Sequence, residues 1–261
     1  MNFQTIELQR DGHTASVILN RPEVRNAFNE ITIAEITQAF LEISVDSSIR
    51  AVVLGARGPA FCAGADLNWM RKMADYTLEE NRADAAQLAK MLRTIYECPQ
   101  PVVARVQGDC YAGGMGLVAA CDIAVTVDEA NFCLSEVKLG LIPATISPYV
   151  IKAMGENAAR RYFLTAERFT AVEALRIGLV QEVVAVPALD TVVAGIVKSL
   201  VSNSPNAVRQ AKRLVREVGG KSISSILIAD TVEGIAQIRA SEEGREGVSA
   251  FLEKRKPSWL M

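Results

Sequence analysis

Histidine and paired cysteines are scarce in this sequence, which argues against a metal centre. The chain has one histidine, His13, and five cysteines, an odd number without a Cys-x-x-Cys pair. Zinc sites in proteins are normally built from several closely spaced Cys and His ligands. We therefore expect no metal, and we expect the cysteines to be free thiols in a reducing cytoplasm.

Long apolar runs and an excess of positive charge are also missing. No run reaches the roughly 18 apolar residues of a membrane span, and residues 1–12 lack the basic-then-apolar order of a secretory signal. The formal net charge is −2, so no broad positive field would attract nucleic acid. The sequence predicts a cytoplasmic protein without membrane or nucleic-acid partners.

Apolar residues, half of the chain, follow strand and helix periods in turn. Strands are predicted over 3–10, 13–20, 49–54, 101–106, 122–127 and 132–134, and helices over 30–45, 78–96 and 113–120. Such alternation is typical of α/β proteins. Only helical patterns occur from Pro187 onward, so we predict a core domain over 1–186 and a C-terminal helical region over 187–261.

Two turns rich in small residues, Gly58–Leu67 and Gly108–Leu117, each follow a predicted buried strand. Small residues let a ligand approach the main chain closely, and free N–H groups at a helix start favour negative charge. Neither turn matches a phosphate-binding GK[ST] loop or a GxGxxG dinucleotide turn. Taken singly, each turn is more typical of tight packing than of a binding site.

Glu136 is a lone carboxylate in the mainly apolar segment Leu134–Pro143. A carboxyl group in such surroundings resists ionisation and can be tuned for proton transfer near neutral pH. A solvated or salt-bridged surface glutamate fits the composition slightly better, so this segment alone does not assign a catalytic role to Glu136.

Taken together and in this order, these segments resemble the crotonase (enoyl-CoA hydratase/isomerase) family over essentially the whole chain. The motifs that carry the resemblance are Leu19–Ala27, Phe61–Asp66, Gly113–Gly114 ahead of Ala119–Asp122, Ser135–Glu136 ahead of Gly140–Pro143, and Glu246–Arg255. The sequence around these motifs is most similar to bacterial hydratases of 3-methylglutaconyl-CoA and isohexenylglutaconyl-CoA, which act in leucine and acyclic terpene breakdown.

The resemblance implies an α/β spiral of ββα turns with a C-terminal helical trimerisation region, assembled as homotrimers or homohexamers. It implies an acyl-CoA substrate and no further cofactor. The N–H groups of Ala65 and Gly113 would form an oxyanion hole for the thioester carbonyl, and Glu136 would transfer the proton. The residues expected to bind coenzyme A are Arg25, Ala27, Ala63, Asp66 and Leu67, with Phe251 and Lys254 serving this subunit or a neighbouring one.

One departure from the family pattern concerns the carboxylates. Hydratases of this family usually carry two glutamates that hold the attacking water, and Glu136 occupies the second position. The first position falls on Gly116, a glycine. The two-carboxylate mechanism therefore cannot be transferred intact.

Three functions stay open on the sequence alone. The first is a hydratase of a branched glutaconyl-CoA, whose own carboxylate would position the water or pair with a cation such as Arg71 or Lys72. The second is a Δ3,Δ2-enoyl-CoA isomerase, for which one carboxylate suffices. The third is a catalytically lapsed binding protein of the same fold.

Overall fold

The computed structural model describes residues 3–261 and contains a six-stranded main sheet in the order β1-β2-β3-β4-β6-β9. β1 runs antiparallel to β2, and every other neighbouring pair is parallel. The strands of this sheet are β1 (Ile6–Asp11), β2 (Thr14–Leu19), β3 (Ala51–Ala56), β4 (Val102–Val106), β6 (Ile123–Val127) and β9 (Glu182–Val184).

The burial of each strand explains its place in the sheet. In β2, Ala15, Val17 and Leu19 are buried and the residues between them are half-buried, as expected for a strand with one covered face. β3 is buried on both faces, which is typical of a central parallel strand. The apolar core therefore lies on both sides of the middle strands.

A second, three-stranded sheet in the order β5-β7-β8 forms another layer. Its strands are β5 (Cys110–Tyr111), β7 (Asn131–Cys133) and β8 (Phe169–Thr170). Three successive turns of the chain each contribute one main-sheet strand, one short extended segment of this layer and at least one helix. The spiral of ββα turns that the resemblance implies is confirmed.

Ten α-helices surround these sheets in the described part of the chain. They are α1 (Glu30–Val45), α2 (Leu67–Ala74), α3 (Leu78–Glu97), α4 (Gly113–Ala120), α5 (Ser147–Thr165), α6 (Ala171–Arg176), α7 (Leu189–Ser202), α8 (Pro205–Val218), α9 (Ser225–Ala240) and α10 (Glu242–Leu252). α7 packs on β3, β4 and β6, whereas α10 packs on α8 and α9. None of the helices within residues 3–261 combines the length and apolarity needed to cross a bilayer. The predicted boundary at residue 187 stays a prediction.

Some elements differ from the sequence prediction. The segment 67–74 was expected to be loop and is helix α2, because the Asp66 carboxylate accepts hydrogen bonds from the Asn68 and Trp69 amides and caps it. The sequence does not predict β5, β8 and β9, since two or three residues are too few for a visible period. The missed helix matters most, because it begins at Leu67, two residues after Ala65.

The loop between β2 and α1 is held by the side chain of Asn26, which is 2% exposed. Its amide nitrogen donates to the carbonyls of Arg57 and Ala60, and its oxygen accepts from the Arg21 amide. Arg25 and Asn26 both have positive φ, so the loop bends sharply there. Asn26 thus ties this loop to the segment that leads into Ala65.

We predict that Asn26→Ala lowers the free energy of unfolding by about 2–3 kcal/mol, because buried polar groups of the main chain lose their partners. Chemical denaturation would measure the loss. Asn157→Ala, at an exposed position on α5, is the control and should change stability by less than about 0.5 kcal/mol. Equal effects of the two substitutions would contradict the anchoring role.

Candidate active site

Three chain segments run parallel at one edge of the small sheet and bring the predicted site residues together. Cys62 bridges Cys110, and Cys110 is in register with Phe132 of β7, both in parallel. Parallel segments leave a sheet at the same edge. Three residues beyond Cys62 lies Ala65 and three residues beyond Cys110 lies Gly113, so both turns reach this edge.

The N–H of Ala65 points away from its neighbouring segment. Phe28 donates its amide to the Gly64 carbonyl at 2.9 Å and accepts from the Asp66 amide at 3.0 Å. This is the pattern of a parallel bridge: Ala65 lies opposite Phe28, but the hydrogen bonds of Phe28 go to the two neighbours of Ala65. Among residues 3–261 no acceptor meets the Ala65 N–H, so it is free to bind a ligand.

The N–H of Gly113 is free as well, because Gly113 is the first residue of α4. The residue before it, Ala112, has φ 47° and ψ −124° and offers no side-chain cap. This rarely adopted conformation directs the chain into the helix, while the Ala112 amide is held by the Cys133 carbonyl at 2.8 Å. The uncapped N-terminus of α4 carries a partial positive charge.

Phe28 also explains why position 113 is a glycine. A Cβ added to Gly113 would lie 2.4 Å from Cζ of the Phe28 ring. A Cβ added to Gly64 would lie 3.0 Å from that of Ala112, so the two turns are in direct contact. Phe28 therefore holds Ala65 through its main chain and Gly113 through its ring, and the two free N–H groups belong to one packed unit.

Glu136 follows β7 at the same edge, three residues beyond Cys133. One carboxylate oxygen, Oε2, is buried and meets no hydrogen-bond donor among the described residues. Burial raises the pKa of the Glu136 carboxyl above its usual value, although a main-chain hydrogen bond partly opposes the shift. An unpaired buried carboxyl with a raised pKa is typical of a proton-transfer group rather than of a solvated surface glutamate.

The space beside Gly116 is filled by apolar side chains. A Cβ at this position would lie 2.3 Å from Cγ2 of Ile146 and 3.4 Å from Cδ2 of Leu92. Ile146 is 2% exposed and Leu92 is fully buried. No carboxylate replaces the missing glutamate at this place, because Ile146 and Leu92 occupy the room it would need.

Five of the seven residues expected to bind coenzyme A lie around the same two turns. Arg25 and Ala63 are joined by a hydrogen bond from the Ala63 amide to the Arg25 carbonyl. Both line a cavity of about 220 Å³ together with Asp109 and Tyr111. The lining of this cavity comes from both turns, although neither Ala65 nor Gly113 is part of it.

Ala27, Asp66 and Leu67 lie on the same loops but differ in what they offer a ligand. Arg21 donates to the Ala27 carbonyl at 2.7 Å and to the Asp66 carboxylate at 2.8 Å. Burial of Asp66 opposes its ionisation, but the bonds from Arg21 and two amides outweigh this and lower its pKa. Asp66 is thus fully engaged within the chain, whereas Leu67 is exposed. Sequence reasoning missed Arg21, although it stands in the same motif.

Phe251 and Lys254 are not brought to this site within one chain. They lie at the end of α10, whose contacts run to α8 and α9, and Phe251 is 82% exposed. The prediction that they complete the coenzyme A site of a neighbouring subunit stays a prediction.

Other candidate side chains have structural partners. The Asp122 carboxylate accepts a hydrogen bond from the Val102 amide and forms an ion pair with Lys212. These contacts give Asp122, which follows α4, a structural role. Lys72 forms an ion pair with Glu30, and Arg71 donates to the side chain of Asn68. No replacement for the missing glutamate emerges from these residues.

Trp69 lies behind the two turns, between Phe28 and the Asp84 carboxyl, which the sequence analysis did not single out. Its ring centroid is 6.0 Å from that of Phe28, and its Nε1 donates to Asp84 at 3.1 Å. Burial raises the pKa of the Asp84 carboxyl, and the bond from Trp69 partly opposes this. Trp69 therefore supports the Phe28 ring from behind.

The raised pKa of Glu136 gives a prediction for stability. The folded state holds this proton more tightly than the unfolded chain, so the contribution of Glu136 is most favourable below its usual pKa and is lost as the pH rises through the raised value. Glu136→Gln should therefore raise the free energy of unfolding at neutral pH by about 0.5–2 kcal/mol, and the gain should shrink in acid.

Denaturation of both proteins over a pH series would measure this difference. Glu129→Gln, at an exposed position, is the control and should leave stability nearly unchanged at each pH. A Glu136→Gln protein that is less stable than the parent at neutral pH would show that the carboxyl is well accommodated when ionised.

Known proteins share both the sequence and this fold. The chain is 42% identical to an enoyl-CoA hydratase of known structure from Shewanella pealeana, with a TM-score of 0.96 over 98% of this chain and 96% of that one. It is 33% identical to the short-chain-enoyl-CoA hydratase of Clostridium acetobutylicum, over 98% and 97% of the two chains. It is 32% identical to the mevalonyl-coenzyme A hydratase of Aspergillus fumigatus, over 95% and 91%.

The sequence profile of the enoyl-CoA hydratase/isomerase family matches residues 10–260. This match spans nearly the whole chain, and the ββα spiral agrees with it. The chain therefore belongs to the enoyl-CoA hydratase/isomerase, or crotonase, family, as the sequence motifs predicted.

Proposed function

We propose that this protein adds water across the double bond of a 2-enoyl-CoA thioester through an enolate. The observation that carries the proposal is the buried, unpaired oxygen of Glu136 at the same sheet edge as two free main-chain N–H groups. Enolate formation places negative charge on the thioester oxygen, and preorganised N–H donors stabilise that charge more than the neutral ground state. Loss of one such donor typically lowers kcat by roughly 10²–10³.

The proposed reaction uses Glu136 first as base and then as acid. Water forms a C–O bond at C3 of the substrate as its proton passes to the ionised Glu136. The π electrons move towards the thioester, and its oxygen becomes an enolate oxyanion held by the N–H groups of Ala65 and Gly113. Glu136 then returns the proton to C2, which completes the addition of H and OH and restores the carboxylate.

The substrate we propose is a branched glutaconyl-CoA such as 3-methylglutaconyl-CoA. Ile146 and Leu92 leave no room for a second enzyme carboxylate beside Gly116, so another group must help to hold the water. The distal carboxylate of a glutaconyl group is close to C3 and supplies an acceptor for that water. A relative 32% identical to this chain is named for mevalonyl-coenzyme A, whose acyl group is likewise branched at C3.

The coenzyme A portion is proposed to lie along Arg25, Ala27 and Ala63, with Asp66 and Leu67 shaping the channel. The cavity lined by Arg25 and Ala63 supports this path. Phe251 and Lys254 would contact the same moiety from a neighbouring subunit.

The proposed assembly is a homotrimer or homohexamer. Apolar side chains exposed on α9, which are Ile226, Ile228, Val232 and Ile235, support burial of this helix between subunits. The free cysteines, of which four are buried, support the expectation of a reducing cytoplasm.

A Δ3,Δ2-enoyl-CoA isomerase is the second candidate, and Gly116 is the observation that favours it. Moving a double bond needs only one group that carries a proton from one carbon to another, and Glu136 suffices for this. A lapsed binding protein is the third candidate. The unpaired buried oxygen of Glu136 argues against it, since such a group destabilises the fold unless it serves a function.

Parallel assays of 3-methylglutaconyl-CoA, crotonyl-CoA and a 3-enoyl-CoA should separate these candidates. We expect hydration of 3-methylglutaconyl-CoA to have the highest kcat/KM, because only this substrate brings its own carboxylate. Glu136→Gln should lower kcat at least about 10²-fold, as for loss of a proton-transfer group. Faster turnover of the 3-enoyl-CoA would favour the isomerase, and near-normal hydration by Glu136→Gln would overturn the mechanism.

Gly113→Ala tests the oxyanion hole. The new Cβ would collide with the Phe28 ring and displace the Gly113 N–H, so we expect kcat to fall by roughly 10²–10³ with a smaller effect on coenzyme A binding. Gly195→Ala on α7, where an added Cβ has open space, is the matched control and should keep full activity. Unchanged kinetics of a folded Gly113→Ala protein would rule out this donor.

A further inference from the structure

Three helices enclose the interior on the far side of Gly116. α4 packs on both α3 and α5, and at one level Leu92, Gly116 and Ile146 meet. Gly116 lies one turn along α4 from Gly113, which is about 4.5 Å at 1.5 Å per residue. This apolar layer, hereafter the plug, therefore stands directly behind the oxyanion hole.

A large cavity begins one helical turn beyond the plug. Tyr96, Ala119 and Tyr149 follow Leu92, Gly116 and Ile146 by three or four residues, so each lies on the same face one turn further on. These three residues line a cavity of about 620 Å³ that also reaches α8. The rings of Tyr96 and Tyr149 contact each other with centroids 5.4 Å apart.

The plug depends on the glycine at position 116. Any side chain there would overlap Ile146, since even a Cβ would come within 2.3 Å of it. Ile146 in turn reaches across to α4 because it directly precedes α5 and its main chain is held by the first turn of that helix. Gly116 and Ile146 are therefore complementary, and neither can be enlarged without moving the other.

We propose that the plug of Ile146 and Leu92 is the inner wall of the acyl pocket and sets the length of acyl group that binds. It separates the catalytic edge from the 620 Å³ cavity, so short or branched acyl groups fit and long straight chains do not. The inference rests on the proposed acyl-CoA site. It assigns to Ile146 the role of a specificity-determining residue.

Calorimetric titration with the unreactive thioesters butyryl-CoA and octanoyl-CoA tests the plug without relying on hydration. The wild type should bind butyryl-CoA more tightly. Ile146→Ala should open the way to the cavity and shift the ratio of the two Kd values towards octanoyl-CoA by about tenfold or more. In Ile146→Ala/Ala119→Leu the cavity is partly refilled, and most of the shift should be lost.

Ile43→Ala is the matched control, because Ile43 is equally buried but lies on α1. It should lose stability like Ile146→Ala and keep the wild-type ratio. The milder Ile146→Val should shift the ratio in the same direction if Ile146→Ala does not fold. An unchanged ratio in a folded Ile146 variant would overturn the inference alone, whereas a wild type that binds neither thioester would overturn the proposed function and the plug with it.

Discussion

The parallel alignment of Cys62, Cys110 and Phe132 is the constraint on which the site depends. These residues lie far apart in the chain, yet main-chain bonding places them side by side. Because the segments run in one direction, the turns that follow them all lie at one edge of the sheet. Ala65, Gly113 and Glu136 belong to these turns, so the alignment alone places them at that edge. The ββα spiral supplies this alignment by repeating the same order of elements in successive turns of the chain.

Local strain and incomplete hydrogen bonding occur together at this edge. Ala112 adopts a positive φ, two N–H groups have no acceptor and Glu136 keeps a buried oxygen without a donor. Each of these features destabilises the fold, and they persist because the surrounding packing holds them, above all Phe28 between the two turns. A ligand with one oxyanion and one exchangeable proton would satisfy the two N–H groups and the Glu136 oxygen together, which is why the geometry supports enolate chemistry.

The sequence predicted the longer, regularly patterned elements better than the contacts between residues that are distant in the chain. The helices at Glu30–Val45 and Gly113–Ala120 have the predicted bounds, because apolar spacing and glycine placement act locally. Ala65, Gly113 and Glu136 follow three parallel segments at one edge of the small sheet, and their roles at the site stay a prediction. The structure also showed α2, the anchoring role of Asn26 and the filling of Gly116 by Ile146, none of which leaves a local pattern. Ile146 lies 30 residues from Gly116 in the chain, and no spacing rule connects two such positions.

The pairing of Gly116 with Ile146 links the chemistry of the site to the choice of substrate. Removing one carboxylate leaves a space, and an isoleucine that fills it both excludes water from that side and shortens the pocket. The attacking water must then be held from the substrate side, where a glutaconyl group carries its own carboxylate. The same side chain that removes one water site would thus favour compact acyl groups whose own carboxylate is able to replace it. One apolar contact accounts for both the single-carboxylate site and the limit on acyl length.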